Sequence, residues 1–198
     1  MNRIILILVT ALVASGSLLA DYSGLPYYRD QGLTPRWEEP QHRIGEFTLS
    51  NQAGVELDSA VLAGKIRIVN FFFATCPGIC PTTMRHLDRV QQEIDRDRAV
   101  MLSFSITPNI DTPEKLAEYA GEFGIDSEKW QLLTGDEEQI TKLASDSFFA
   151  VLKRNVKKNA FVHTEKAFLV DGDGFIRGVY NATSPADVMR LIEDYELL

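Results

Sequence analysis

The stretch that decides the fold is Ile66-Arg-Ile-Val-Asn-Phe-Phe-Phe-Ala-Thr-Cys-Pro-Gly-Ile-Cys-Pro-Thr-Thr-Met-Arg-His-Leu87. Its first part is a run of β-branched and aromatic residues, which predicts a buried strand. Beyond it, apolar residues recur every three or four positions from Met84 to Ile94, the spacing of a helix. Between the two lie the only cysteines of the chain, Cys76 and Cys80, each followed by proline. The sequence therefore predicts two thiols at a strand-to-helix junction.

The start of a helix is a place where thiols are activated. Its first turn presents unpaired N–H groups and the positive end of the helix dipole. A thiol in that field has a lowered pKa and is more often a thiolate, the form that attacks disulfides and binds soft metals. Pro81 fits the first turn, where a missing N–H costs little. We therefore expect reactive thiols at Cys76 and Cys80.

The spacing of the two cysteines narrows their chemistry. Cysteines four residues apart on a helix lie on one face, so both sulfurs can reach one metal ion or join as a disulfide. The usual redox motif has two intervening residues, whereas this chain has three, Pro77-Gly78-Ile79. That spacing suits a soft cation held by two thiolates and a third ligand from elsewhere.

Composition sets the class of protein. A chain of 198 residues with 45% apolar residues is long enough for one domain with a true core, preceded by a leader. The net charge of −8 argues against nucleic-acid binding. Two cysteines in so long a chain do not make a disulfide scaffold, and a close pair is typical of a catalytic or metal-binding site.

Residues 1–20 have the pattern of an export signal. Arg3 is followed by an apolar run from Ile4 to Val13 and then by small residues. This predicts a cleaved signal peptide or, alternatively, an uncleaved anchor that tethers the protein through residues 4–20. No cysteine follows the run, which argues against a lipid anchor. We expect the body of the protein in the periplasm or at the outer face of the inner membrane, where disulfides are permitted.

The order of the remaining elements predicts an α/β fold. Residues 21–42 have no period and are expected to form an extended lead-in, so that 43–198 form the domain. A hairpin is predicted over 47–57 as an N-terminal extension, with further strands at 99–106 and 164–170. The order strand–helix–strand–helix, then hairpin–helix, predicts a central mixed β-sheet flanked by helices. Two cysteines after the first main strand are typical of a thioredoxin-like fold.

The helices carry recognisable start and stop signals. Asp111 or Thr112 is predicted to cap a helix that has Pro113 in its first position and Gly124 at its end. A second helix is predicted over 136–148. Ser184, followed by proline, is predicted to cap the last helix.

The three histidines and one methionine are the candidates for a third ligand. His42 lies in the lead-in, and His86 lies on the cysteine helix, where we expect it to face solvent away from the thiols. Met84 shares the helical spacing of the core positions and is predicted to pack there. His163 precedes the strand that lies beside the first main strand in thioredoxin-like folds, so it is the predicted ligand.

The motifs resemble those of the Sco/SenC family from about Arg43 to the C-terminus, in the family's order. The segments that carry the resemblance are Phe-Phe-Ala-Thr-Cys-Pro-Gly-Ile-Cys-Pro-Thr-Thr-Met at 72–84, Asp-Thr-Pro-Glu-Lys-Leu at 111–116, Leu-Leu-Thr-Gly at 132–135, Val-His-Thr at 162–164 and Phe-Leu-Val-Asp-Gly-Asp-Gly at 168–174.

The resemblance implies a function. Sco/SenC proteins are exported copper proteins that help assemble the binuclear copper site of cytochrome c oxidase, with copper held by two motif cysteines and a distal histidine. Those roles fall on Cys76, Cys80 and His163. The implied cofactor is a copper ion, as Cu(I) and also as Cu(II) with an added oxygen or nitrogen ligand. The implied partners are oxidase subunit II or another copper acceptor, and an upstream copper donor.

Three positions bear on how closely the chain follows that pattern. The family often has Asp where this chain has Gly78 and again where it has Thr107. Neither position is a primary ligand, so the departures concern the client rather than copper binding. Thioredoxin-like oxidoreductases usually have a cis-proline where this chain has His163, which favours metal binding over disulfide reduction.

Two other functions fit the same thiols. A thiol–disulfide oxidoreductase would use Cys76 and Cys80 to keep the cysteines of a partner reduced. A peroxidase of the same fold would use one of them as nucleophile, but it needs neither a second cysteine nor a distal histidine.

A basic segment lies close to His163 in the otherwise acidic chain. Its four cationic residues, Lys153, Arg154, Lys157 and Lys158, fall within ten residues of that histidine. The segment is either the solvated tip of a hairpin or a docking site for an acidic partner.

Overall fold

The computed structural model describes residues 24–38, 42–150, 153–155, 160–162 and 165–198. Within these ranges the chain forms nine strands, which are β1 (Thr48–Asn51), β2 (Glu56–Asp58), β3 (Ile66–Phe72), β4 (Ala99–Ser105), β5 (Trp130–Thr134), β6 (Lys153–Asn155), β7 (Ala160–Val162), β8 (Lys166–Val170) and β9 (Ile176–Asn181). The α-helices there are α1 (Cys80–Glu93), α2 (Pro113–Phe123), α3 (Glu137–Lys142) and α4 (Pro185–Glu196). A 3₁₀ turn spans Ser59–Leu62, and a π-helical segment spans Leu143–Ser147.

Seven strands form one mixed sheet in the order β2-β1-β5-β4-β3-β8-β9. The interior strand β3 pairs in parallel with β4 and antiparallel with β8, and β4 pairs in parallel with β5. Parallel neighbours need crossover connections, which α1 and α2 provide. The predicted mixed sheet is confirmed, and so is the placement of the strand before Val170 beside β3.

Helices cover both faces of the sheet. On one face, α1, α2 and α4 pack over side chains that include Ile68 and Phe72 of β3. On the other, α3, the π-helical segment and the 3₁₀ turn pack over Val69 and Phe71. Because both faces are covered, β3 is buried along its whole length, and this is why its sequence is an almost unbroken apolar run.

The predicted caps lie where the sequence places them. The hydroxyl of Thr112 accepts a hydrogen bond from the N–H of Lys115, and Pro113 occupies the first position of α2. Gly124 ends that helix with a φ of 65°, a left-handed conformation that glycine adopts without strain. Ser184 caps α4 in the same way as Thr112 caps α2.

The prediction of a helix over 136–148 is only partly confirmed, because the segment is not α-helical throughout. Its α-helical part ends at Lys142, and the chain continues as a π-helical segment to Ser147. The wider turn brings Ser147 to the start of the domain. Its hydroxyl accepts from the N–H of Gly45 at 2.8 Å, and its carbonyl oxygen lies 2.9 Å from Nε2 of His42.

The N-terminal hairpin belongs to the main sheet, because β1 pairs with β2 on one side and with β5 on the other. The described part of the lead-in packs on β9. Arg177 of β9 donates to the carbonyl oxygens of Leu25 and Pro26, at 2.6 and 3.2 Å, and its guanidinium lies 4.1 Å from the ring centroid of Tyr27. A partly buried cation therefore holds the lead-in, in addition to apolar contacts.

Strands β6 and β7 pair as a separate antiparallel sheet, so the basic segment does form a hairpin. Its connecting residues 156–159 and the predicted leader, 1–20, lie outside the described residues. In the ranges that the structure describes, no helix is long and apolar enough to span a membrane.

Candidate metal centre

The two cysteines lie where β3 passes into α1. Cys80 is the first residue of the helix, whereas Cys76 lies in the loop before it, so the prediction that both share a helical face is wrong. The loop turns back on itself, and the N–H of Cys76 donates to the carbonyl oxygen of Phe73 at 3.2 Å. Pro81 occupies the first turn of α1 as predicted. A turn in the loop, not a helical repeat, brings the thiols together.

The thiols lie in contact just beneath the surface. Cys76 is 7% exposed and Cys80 is 4% exposed, and both belong to the apolar cluster that also contains Tyr119. Both are free thiols, and they lie close enough that the Cys76 side chain raises the pKa of Cys80. Pro77 and Gly78, between them, are exposed. The pair is therefore shielded from water but close to a surface that a partner can reach.

The protonation of Cys80 is opposite to the prediction. The pKa of its thiol is raised to about 12, chiefly by burial, and the Cys76 side chain and the charge of Asp111 contribute to the increase. The backbone N–H of Phe73 donates to the Cys80 sulfur and lowers the pKa, but burial is the larger effect. Because metals bind the thiolate, a soft cation must displace a proton here.

Asp111 lies beneath the cysteine loop. It is 0% exposed, and Thr112 rather than Asp111 caps α2. One carboxylate oxygen accepts from the hydroxyls of Ser105 and Thr107, at 2.6 and 2.9 Å, and from the N–H of Ala74 at 3.1 Å. The sequence pattern predicts no role for Asp111 beyond that of a candidate helix cap. The signal for it was a set of polar residues directly after a buried strand.

Tyr119 of α2 is a second neighbour that the sequence did not single out. Its ring centroid lies 5.4 Å from that of Phe72 and 4.6 Å from that of Phe123. Its hydroxyl is buried and has no hydrogen-bond partner among the described residues. Burial raises the pKa of this hydroxyl, and negative charge on Cys80 or Cys76 raises it further. Tyr119 therefore stays protonated beside the thiols.

Two of the histidines are engaged elsewhere. His42 contacts the carbonyl of Ser147, as described above. Nδ1 of His86 lies 3.0 Å from the carbonyl oxygen of Ala182, and the side chain is partly buried, so the prediction that it faces solvent is wrong. Met84 is fully buried, which confirms its predicted place in the core. Over the described ranges, no three His, Cys, Asp or Glu side chains form a group that could hold a metal ion.

His163 lies outside the described residues, so its role as a ligand stays a prediction. The strand that follows it is informative. β8 begins at Lys166 and runs antiparallel to β3, with Ala167 opposite Asn70. The chain therefore enters β8 at the end of β3 from which the cysteine loop leaves.

A mixed sheet with helices on both faces and paired thiols after the interior strand β3 defines a thioredoxin-like protein. The profile of the SCO1/SenC family matches residues 36–195. The chain belongs to the SCO1/SenC family.

Solved structures agree with this assignment. A SCO1/SenC family lipoprotein from Bacillus anthracis is 26% identical with a TM-score of 0.71, over 78% of this chain and 94% of that one. BsSco, described with a disulfide switch as a member of the Sco family of cytochrome c oxidase assembly proteins, is 26% identical with a TM-score of 0.68, over 81% and 98%. ScoI of Bradyrhizobium japonicum, solved with copper bound, is 25% identical with a TM-score of 0.64, over 78% and 99%. The predicted thioredoxin-like fold is confirmed.

Proposed function

We propose that this chain is an exported copper-binding protein that delivers copper to the binuclear copper site of cytochrome c oxidase, or prepares the thiols of that site. The observation that carries the proposal is the contact between the free thiols of Cys76 and Cys80 in a SCO1/SenC protein. Two sulfur donors at the end of one strand suit a soft cation such as Cu(I). Copper bound to ScoI of Bradyrhizobium japonicum supports this choice of metal.

His163 is the proposed third ligand. Three residues of chain span at most about 11 Å, so His163 is tethered within that distance of Lys166 at the cysteine end of β3. Its imidazole nitrogen would complete a site of two sulfurs and one nitrogen. His42 and His86 each contact a backbone carbonyl oxygen elsewhere in the fold, which supports the choice of His163.

The same thiols give the site two states. In the dithiol state, a cation that binds both sulfurs displaces their protons. In the disulfide state, the two sulfurs share a bond after the loss of two protons and two electrons to an oxidant such as glutathione disulfide, and they no longer bind copper. The disulfide switch described for BsSco supports a role for both states. The chain can therefore hold copper or carry a disulfide, but not both at once.

Location and partners follow from the proposed role. The leader pattern of residues 1–20 and the lipoprotein nature of the relative from Bacillus anthracis support export to the periplasm or to the outer face of the inner membrane, with residues 4–20 as a tether if the leader is retained. The proposed acceptor is oxidase subunit II or another copper protein, and an upstream donor supplies the metal.

The second candidate is a thiol–disulfide oxidoreductase that keeps a partner's cysteines reduced. The contact between the two thiols favours it, because closely placed thiols form a disulfide readily. The raised pKa of Cys80 opposes it, because the attacking group in exchange is the thiolate.

One pair of measurements on the reduced protein separates the two functions. Cu(I) affinity is measured by competition with a chromophoric chelator, and reductase activity is measured as turnover of a small aromatic disulfide. We expect one tightly bound Cu(I) per chain, lost in Cys76→Ser and in Cys80→Ser, and disulfide turnover no faster than that of a simple dithiol. Rapid turnover with weak copper binding would establish the oxidoreductase instead.

A further inference from the structure

We propose that Asp111 is a positioning residue for the cysteine pair, because its buried carboxylate ties the loop that carries Cys76 to the end of β4. The inference deepens the proposed function and depends on it only for the effect on copper. It concerns a side chain that would bind no metal itself.

The burial of Asp111 needs an explanation. The side chain is 0% exposed, and within the described ranges it forms no ion pair with a lysine, arginine or histidine. A buried carboxylate without a cation is costly unless several donors converge on it. Three donors do so here, all on one oxygen, while the other carboxylate oxygen has no partner among the described residues. A group retained at such cost is expected to have a specific task.

The task is indicated by the donor from the loop. The N–H of Ala74 and the carbonyl of Phe73 belong to one planar peptide unit, so fixing the first also fixes the second. The N–H donates to Asp111 at 3.1 Å, and the carbonyl accepts from the N–H of Cys76 at 3.2 Å. One rigid unit therefore connects the carboxylate to the backbone of Cys76.

The carboxylate is held in turn by the neighbouring strand. Ser105 is the last residue of β4 and pairs with Phe72, the last residue of β3. The N–H of Ile106 also donates to the carbonyl oxygen of Phe72 at 2.9 Å. Ser105 and Thr107 thus present their hydroxyls to Asp111 from a segment that is fixed to the sheet. The carboxylate therefore links the cysteine loop to the sheet and restricts the movement of the loop.

The test uses metal-free protein. Reduced protein exchanges with glutathione disulfide to give the Cys76–Cys80 disulfide and two molecules of glutathione, and the equilibrium constant measures how closely the thiols are held together. We expect Asp111→Ala to lower this constant at least fivefold, because a released loop lowers the effective concentration of one thiol at the other. We also expect amide hydrogen exchange at Ala74 to accelerate at least tenfold.

Two control variants separate positioning from general stability. Asp111→Asn keeps an oxygen that can accept the Ala74 N–H, so both values should stay within about twofold of the native ones. Asp171→Ala also removes a carboxylate with three donors, namely the N–H groups of Asp173 and Phe175 and the side chain of Arg177. It follows β8 at the opposite end of the sheet, so it should leave both values unchanged.

The outcomes are decisive in each direction. If Asp111→Ala leaves both the disulfide equilibrium and Ala74 exchange at native values, Asp111 does not position the loop. If Asp111→Ala does not fold, Asp111→Leu fills the same space without an acceptor and is judged by the same criteria. If both values shift as expected but the native protein binds no Cu(I), the positioning role stands and the proposed copper function fails. If the native protein binds Cu(I) but Asp111→Ala shifts neither value, the proposed copper function stands and the positioning role fails.

Discussion

Cys76, in the loop before α1, and Cys80, the first residue of that helix, belong to one apolar cluster, and both side chains are buried. Their proximity comes from a turn in the loop, and burial raises the pKa of Cys80. A site of this kind keeps two soft donors ready for a metal and protects them from casual oxidation. The access of metal ions and oxidants to the two sulfurs therefore controls the chemistry of the pair.

The protonation of Cys80 gives the first prediction. Burial is the largest cause of its raised pKa, so a Cys76→Ser variant should keep Cys80 mostly protonated at neutral pH. Alkylation of Cys80 by iodoacetamide should be slower at pH 7 than that of an unstructured cysteine and should still rise with pH beyond pH 9. An alkylation rate that has reached its plateau by pH 7 would show that the helix start does lower the pKa.

The stability of the folded protein should also depend on the protonation of Cys80. The pKa of Cys80 is raised in the folded protein from an ordinary value of 9.0 to about 12, so folding favours the protonated thiol. The resulting stability is fully present below about pH 9 and is lost as pH rises toward 12, at about 1.4 kcal/mol per pH unit in the ideal case. Denaturant unfolding of metal-free protein should show a steeper loss for the native chain than for Cys80→Ala. Parallel curves would contradict the raised pKa.

The three histidines allow a matched comparison of copper affinity. We expect His163→Ala to lower Cu(I) affinity at least tenfold, about 1.4 kcal/mol, because it removes one of three ligands. His42→Ala and His86→Ala remove contacts with backbone carbonyls and should change stability without changing affinity. The three-ligand site is wrong if His163→Ala binds as tightly as the native protein, or if either control weakens binding equally.

The basic segment gives a prediction about copper transfer. Replacing Lys153 and Lys157 by Glu should slow transfer to an acidic acceptor several-fold at low salt, and the difference should shrink as ionic strength rises. Lys65→Glu, at the start of β3 and away from the cysteine loop, is the control for charge alone. Equal transfer rates for the native and doubly substituted proteins would remove the docking role and leave a solvated hairpin.

Arg177 gives a prediction about the lead-in. Its guanidinium donates to two lead-in carbonyls and to Asp171 in a largely buried setting, so Arg177→Ala should lower the free energy of unfolding by roughly 2–4 kcal/mol. The lead-in should also become sensitive to protease. Arg190→Ala breaks an exposed pair with Asp187 and should cost about 1 kcal/mol or less. Similar losses for both variants would mean that Arg177 does not hold the lead-in.

Most of the architecture followed from local sequence signals. The mainly apolar sequence of β3 predicts burial on both faces. Thr112, Gly124 and Ser184 mark helix ends through backbone hydrogen bonding and left-handed geometry. These signals act within a few residues and are therefore visible in the sequence. The π-helical end of the third predicted helix was not visible, because it depends on contacts with His42 and Gly45 far away in the chain.

The same distinction between local signals and long-range contacts applies to the candidate metal centre. The cysteine pair could be found from its spacing and its place after β3, but the pKa of Cys80 could not, because it depends on how deeply the loop packs. The sequence predicts only that Asp111 or Thr112 caps α2. The buried role of Asp111 is not visible there, because its partners Ser105 and Ala74 come together only in the folded sheet. The sequence pattern does not reveal such long-range polar contacts.

We propose that Cys76, Cys80 and His163 together hold one copper ion. X-ray absorption at the copper edge of Cu(I)-loaded native protein and of His163→Ala tests it most directly. We predict two sulfur ligands and one imidazole nitrogen in the native protein, and the same two sulfurs without imidazole scattering in the variant. A native spectrum with sulfur alone, or identical spectra for the two proteins, would rule out His163 as a copper ligand.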